Sequence, residues 1–265
     1  MKKILAVFIF ALFPLSLLAN EGGWPLDHME PNLKDQASLQ RGAQLYVSYC
    51  MGCHSLQYER YQRFQTGLGV PEELVMKYMR FDDTAKIGDL MKNAMPTAAA
   101  KQWFGAAPPD LTLIARSRGV DYLYTYLRTF YKDPARPWGV NNKAFPDVGM
   151  PHVLLELQGL QECAPGPVHA ENGGIKSDPL TGKEVLFGED GKALNPCGRF
   201  TITEPGKLSP KEFDQAAYDL VNFLEYIAEP TQEHRKHIGV FVLLFLTLLF
   251  VFAWLLNREY WKDVH

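Results

Sequence analysis

The chain has 265 residues, 47% of them hydrophobic and 22% charged, with a formal net charge of −3. That length supports one domain of roughly 200 residues with its own core, beside short targeting or membrane segments. The near-neutral charge excludes a nucleic-acid binder that rests on phosphate contacts, and no internal repeat or low-complexity tract argues for a solenoid or a disordered chain.

Lys2 and Lys3 precede an apolar run, Ile4 to Phe13, that is short for a bilayer, and Leu17-Leu18-Ala19 ends on a small residue suited to signal-peptidase cleavage. Residues 1–19 therefore read as a bacterial signal peptide, with an uncleaved anchor as the alternative. The chain is exported in either case. Residues 20–34 are polar and irregular. Gln36 to Tyr49 reads as a helix with Leu39, Ala43, Tyr46 and Val47 as its apolar positions.

That helix leads into Cys50-Met51-Gly52-Cys53-His54. The C-x-x-C-H spacing is that of a c-type haem attachment site. Two thiols add across the two vinyl groups of one haem, and the gap of two residues lets both reach. The following His is then placed under the ring to ligate iron. C-x-x-C also occurs in zinc sites and thiol redox centres, but the adjacent His and the exported context favour haem. Cys50, Cys53 and His54 are thus the first candidate site residues.

Pro71 to Arg80 and Ile87 to Ala94 suggest short helices. Ala98 to Pro109 reads as a loop, Leu111 to Tyr131 as a helix broken at Gly119, and 134–150 as irregular. A sixth iron ligand is sought here, since a thioether favours the reduced iron. Met29, Met76, Met79 and Met91 read as core, surface or loop residues, and Met51 lies within the attachment loop. Met95 and Met150 each precede a Pro in a loop. Gly149-Met150-Pro151 is the stronger candidate: Gly permits close approach to the ring and Pro stiffens the loop. Met95 stays open on residue logic, as do His152 and His169. His28, His234, His237 and His265 lie too near the termini or the membrane.

Cys163 and Cys197 remain. An even remainder in an oxidising compartment argues for a disulfide, with two free thiols as the alternative. It would close a loop of about 35 residues. Lys183 to Lys192 reads as a small hairpin with Asp190-Gly191 as its turn. Ser209 is a natural N-cap, Pro210 suits the first helical position and Glu212 completes a capping box. Phe213, Ala217, Leu220, Leu224 and Ile227 then share one face, and the pattern ends at Glu229-Pro230. Ile238 to Leu256 carries no charge; rising ~1.5 Å per residue, it reaches about 28 Å and spans a membrane. Trp254, Tyr260 and Trp261 mark its far end. Because the haem is attached to the exported part, residues 20–237 are expected in the periplasm, 238–256 in the inner membrane and 257–265 in the cytoplasm. The expected fold is mainly α: a class I cytochrome c-like haem domain with a disulfide-bearing loop insert at about 161–206 and one C-terminal transmembrane helix.

Several stretches together resemble the cytochrome c1 family. Ser38-Leu39-Gln40-Arg41-Gly42, Tyr46 and Cys50 through Ser55 look like its attachment helix. Pro108-Pro109-Asp110-Leu111 with Ile114, Arg116, Arg118 and Asp121-Tyr122 looks like its second signature. Glu229-Pro230, His234-Arg235-Lys236 and Gly239 resemble the start of its membrane helix. The resemblance covers residues 24–262 and is weakest across 161–206. It implies that Met150 is the axial Met, so that His54 and Met150 are the metal ligands of one covalent haem c. It also implies that Arg118 and Tyr122 contact a propionate, that Pro109 packs by the ring, and that the insert holds the Met loop. A one-electron carrier of a quinol–cytochrome c oxidoreductase follows as the expectation, with no catalytic residue of its own. Its partners would be cytochrome b, the Rieske iron–sulfur protein, a soluble cytochrome c and membrane lipid, with no nucleic acid. Glu72, Glu73, Asp82 and Asp83 could steer a basic acceptor or form an ordinary solvated face. Rival readings are a membrane-anchored cytochrome c of another complex, a peroxidase-type haem enzyme and a zinc-binding structural protein.

Overall fold

The computed structural model describes residues 24–167, 176–178, 182–188 and 191–262. The expected signal peptide, His169, Asp190 and His265 lie outside those residues.

Two helices form the frame. Helix α1 (Gln36–Leu45) starts where the Asp35 carboxylate accepts the Ser38 N–H at 3.0 Å, and it runs on into one π-helical turn, Tyr46–Cys50. Short helices follow at Gln62–Thr66 (α2), Glu72–Tyr78 (α3), Thr97–Phe104 (α4), Ile114–Arg118 (α5), Val120–Arg128 (α6) and Leu155–Gln158 (α7). Helix α8 (Pro210–Ala228) carries the expected capping box: Ser209 accepts the Glu212 N–H while the Glu212 carboxylate accepts the Ser209 N–H. Phe213, Ala217, Leu220, Leu224 and Ile227 are all buried along it.

Helices α1 and α8 pack closely because Gly42 has no side chain. A Cβ there would lie 2.0 Å from the Asp219 carbonyl oxygen and 2.6 Å from Phe223 Cβ. A polar clasp sits on the same contact. Asp219, 2% exposed, takes a two-pronged hydrogen bond from Arg41 at 2.6 and 3.0 Å and a third from the Ser38 hydroxyl at 2.7 Å. A buried carboxylate is tolerable only when paired in this way. The principal core gathers Leu39, Ala43, Tyr46, Cys50 and Met51 with Phe213, Leu220, Phe223 and Ile227.

Three two-stranded antiparallel sheets complete the described fold. They pair β1 (Leu56–Arg60) with β2 (Leu90–Met91), β3 (Phe130–Lys132) with β4 (Val140–Asn142), and β5 (Gly159–Ala164) with β6 (Arg199–Pro205). A smaller core of Phe130, Val140 and Val148 takes in Tyr126, Met150 and Leu160 at its edge. The Cys163–Cys197 disulfide is present, with its Cα atoms 4.5 Å apart, at the base of the β5–β6 ribbon. In the expected hairpin, Phe187 bridges to Ala193 across a turn where Gly191 has φ +72°.

Three local expectations are corrected. Ile87–Ala94 is not a helix: Leu90 and Met91 are drawn into pairing with β1, and Met91 is fully buried there. Ala98–Pro109 is not all loop, because α4 occupies its first half. The helical pattern up to Tyr131 stops at Arg128, after which Phe130 and Tyr131 pair with Asn142 and Asn141. At the other end, α9 (Gln232–Tyr260) begins ahead of the apolar run and has none of its residues buried against the rest of the chain.

Candidate functional site

The C-x-x-C-H loop is closed by its own backbone. The Met51 N–H reaches Tyr46 O at 2.9 Å, which widens the end of α1 into the π turn. The N–H groups of Cys53 and His54 both donate to Cys50 O, at 3.0 and 2.8 Å. The two thiols are not bonded to each other; Cys50 is buried and Cys53 half-buried. Burial, with the neighbouring Cys53 second, pushes the Cys50 thiol up to about 12. From the side, the buried Tyr46 hydroxyl donates to His54 O at 2.6 Å.

The stretch 109–112 then clamps the other edge of the loop. His54 Nδ1 lies 2.7 Å from Pro109 O. A carbonyl only accepts, so Nδ1 carries the hydrogen and the neutral ring presents the Nε2 lone pair outward. That is the usual means by which a backbone carbonyl orients a metal-ligating imidazole. Burial lowers the His54 pKa, outweighing the upward pull of the Pro109 bond and of the Asp110 charge, and so keeps the ring neutral and able to ligate. Asp110 takes the Gln57 N–H at 2.8 Å and the Thr112 N–H at 2.9 Å, while the Leu111 N–H donates to Ser55 O at 2.9 Å. Ser55 in turn accepts the Asn93 N–H at 2.9 Å.

From this clamp the chain enters α5. Gly119, at φ +85°, turns it so that α6 can start at once on a new axis. Arg118 lies over the Tyr122 ring at 5.8 Å, Tyr122 stacks on Tyr126 at 6.0 Å, and Tyr126 meets Phe130 edge-on at 5.2 Å. The Tyr126 hydroxyl donates to Met150 Sδ at 3.3 Å. Residues 109–130 therefore run as one continuous stretch from His54 to Met150.

Two of the remaining candidates touch this stretch at its edges, His152 at Phe130 and His28 at Asp121. Met95 sits half-buried after β2 with its N–H on Asn93. His152 is buried and lies flat on Phe130, 4.9 Å between ring centres, and packs as an aromatic; burial lowers its pKa to about 4. His28 pairs with Asp121 at 3.3 Å, and His237 lies against Phe241 in α9. The close approach that Gly149 permits is to the Phe104 carbonyl oxygen, 2.7 Å from where a Cβ would stand, so the glycine serves the seat of α4 beside the Met150 loop.

Sequence reasoning passed over Tyr46, Ser55 and Asp110 as hydrogen-bonding partners, and Tyr126 altogether. The i, i+4 spacing of Tyr122 and Tyr126 within α6 was the signal for Tyr126. The donor set fits haem: two free thiols at the attachment spacing, an imidazole whose tautomer leaves Nε2 to a metal, a thioether steadied by a hydroxyl, and a guanidinium over the Tyr122 ring.

The Cytochrome C1 family matches residues 24–159 and 207–264. Over the full chain the sequence is 48% identical to cytochrome c1 of Allochromatium vinosum, covering 100% of this chain and 99% of that protein. It is 36% identical to a protein of Nitrosomonas europaea named ammonia monooxygenase gamma subunit, covering 99% of this chain and 100% of that one. It is 30% identical to cytochrome c1 of Rhodospirillum rubrum, covering 93% and 91%.

Proposed function

The chain belongs to the cytochrome c1 family, and from that premise we propose that it holds one covalent haem c on the periplasmic face of the inner membrane and relays single electrons from the Rieske iron–sulfur protein to a soluble cytochrome c. As a cytochrome c1 it is an electron-transfer subunit of the bc1 complex and not an enzyme on its own. Its apolar C-terminal helix fits a membrane anchor.

Haem, when bound, supplies a one-electron iron(III)/iron(II) couple. The residues around it do the rest. Cys50 and Cys53 would tether the haem by thioether links, and His54 Nε2 and Met150 Sδ would hold its iron. The Pro109 carbonyl fixes the imidazole, and its pyrrolidine would pack by the haem. Arg118 and Tyr122 would meet the propionates, where a guanidinium and a hydroxyl offset the cost of partly buried carboxylates. The disulfide-bearing insert would steady the Met150 loop through Leu160. Cytochrome b would be the neighbour of α9 in the membrane.

The acidic residues at 82 and 83 carry a cation of their own. Arg80 threads among the carbonyl oxygens of Asp82, Asp83 and Ala85, and lies 3.9 Å from the Asp83 carboxylate, which offsets part of that charge.

The observation that carries the reading is the His54 clamp, which leaves Nε2 free beside two unpaired thiols. The test is purification from the membrane in mild detergent. A haem stain that survives denaturing electrophoresis, a reduced c-type spectrum and co-purifying cytochrome b and Rieske subunits are expected. Colourless protein would overturn haem, and co-purification with another complex would move the chain to that complex.

A further inference from the structure

We propose that Tyr126 is a positioning residue for electron transfer: its hydroxyl holds the Met150 sulfur and raises the midpoint potential of the iron that sulfur ligates. This rests on Met150 as the axial ligand and adds to it a residue outside the resembling motifs.

The geometry is specific. The hydroxyl donates to Sδ at 3.3 Å, within the reach of a bond to sulfur. The phenol ring is fixed on both sides, stacked on Tyr122 at 6.0 Å and edge-on to Phe130 at 5.2 Å. Its backbone is fixed as well, because Asn142 Nδ2 donates to Tyr126 O at 2.7 Å and ties α6 to β4. Met150 belongs to the same small core, so donor and acceptor are held by one rigid cluster.

The effect on the couple follows from charge. A thioether sulfur has two lone pairs, one for iron and one for the hydroxyl. The O–H hydrogen carries partial positive charge, and in a site of low dielectric it draws electron density from the sulfur. Ferric iron depends on that density more than ferrous iron does, so the bond favours the reduced state.

The experiment uses the full-length holoprotein in detergent. Tyr126→Phe keeps the ring and both aromatic contacts and removes only the donor. At a fixed ambient potential the ferrous-to-ferric ratio should fall by up to about fivefold, the limit reached when the whole of one neutral hydrogen bond is lost on oxidation. The near-infrared charge-transfer band of sulfur on ferric iron should shift in position yet persist. Met150→Leu should abolish that band. A Tyr126→Phe protein with unchanged ratio and band, beside a Met150→Leu protein that has lost the band, overturns the role of Tyr126 and leaves the ligand reading intact. A band that survives Met150→Leu overturns the ligand reading and the proposal with it. An effect seen with Tyr126→Leu but absent from Tyr126→Phe assigns the role to ring packing and rejects the hydroxyl.

Discussion

At the scale of single residues, the site depends on groups that hold the candidate ligands more than on the ligands themselves. Asp110 shows this. Its carboxylate accepts two backbone N–H groups, from Gln57 and Thr112, and so fixes the stretch whose Pro109 carbonyl orients His54. Hydrogen bonds to a charged acceptor are stronger than neutral ones, and Asp110 is only half-buried, so their loss is partly relieved by water. Asp110→Ala should therefore lower stability by about 1–2 kcal/mol, read as a lower urea midpoint at unchanged slope, and reduce the yield of covalent haem. Wild-type stability and haem yield in that variant would mean that the clamp on His54 does not depend on the carboxylate. The residue types of the attachment motif were legible because C-x-x-C-H is fixed by the size of the haem. The partners were not, because Asp110 and Tyr126 act through contacts 53 and 24 residues away in sequence.

At the scale of elements, the α1–α8 contact positions everything downstream, because the C-x-x-C-H loop grows out of the end of α1. Gly42 makes that contact possible, and its neighbour is backbone, which cannot rotate away. Gly42→Ala should force the helices apart and cost about 3 kcal/mol or more, at the upper end of what overpacking does in a core. The check is chemical unfolding of the holoprotein; an unshifted midpoint would show that the two helices are less closely fitted than the structure has them. Both helices were readable from sequence: α8 announces itself by Ser209, Pro210 and Glu212, and its apolar spacing is strict. The misread elements lacked such agreement between local and global signals. Leu90 and Met91 have helical propensity, and only pairing with β1 makes them a strand. Ala98–Pro109 reads as loop, yet Pro96 stands at the start of α4 and Gly105, at φ +78°, at its end, which are start and stop signals for a helix between them.

At the scale of the whole molecule, two attachments join the central domain to what lies outside it. The disulfide-bearing segment reaches the Met150 side through β5: Leu160 packs on the small core, and the Gln161 side chain donates to Arg128 O at 2.8 Å and Phe130 O at 2.5 Å. Cys163→Ser should cost about 2–4 kcal/mol under oxidising conditions and speed amide exchange at 148–150. If the wild type is equally stable with and without reductant, the bridge contributes nothing. The second attachment is α9. The domain's core ends at Ala228, and no residue of α9 is buried against it. The contacts near the junction, Lys34 with Glu233 at 3.2 Å and Arg235 with Glu229, all lie before Ile238. The exposed Lys34–Glu233 pair contributes little, and the better covered Arg235–Glu229 pair lies wholly within the residues that are kept. Removing 238–265 should therefore leave core packing untouched and release a soluble haem domain with the thermal midpoint of the parent. Domain that stays in the membrane fraction after its signal is cleaved would show that a second contact, with lipid or with a partner subunit, holds it there.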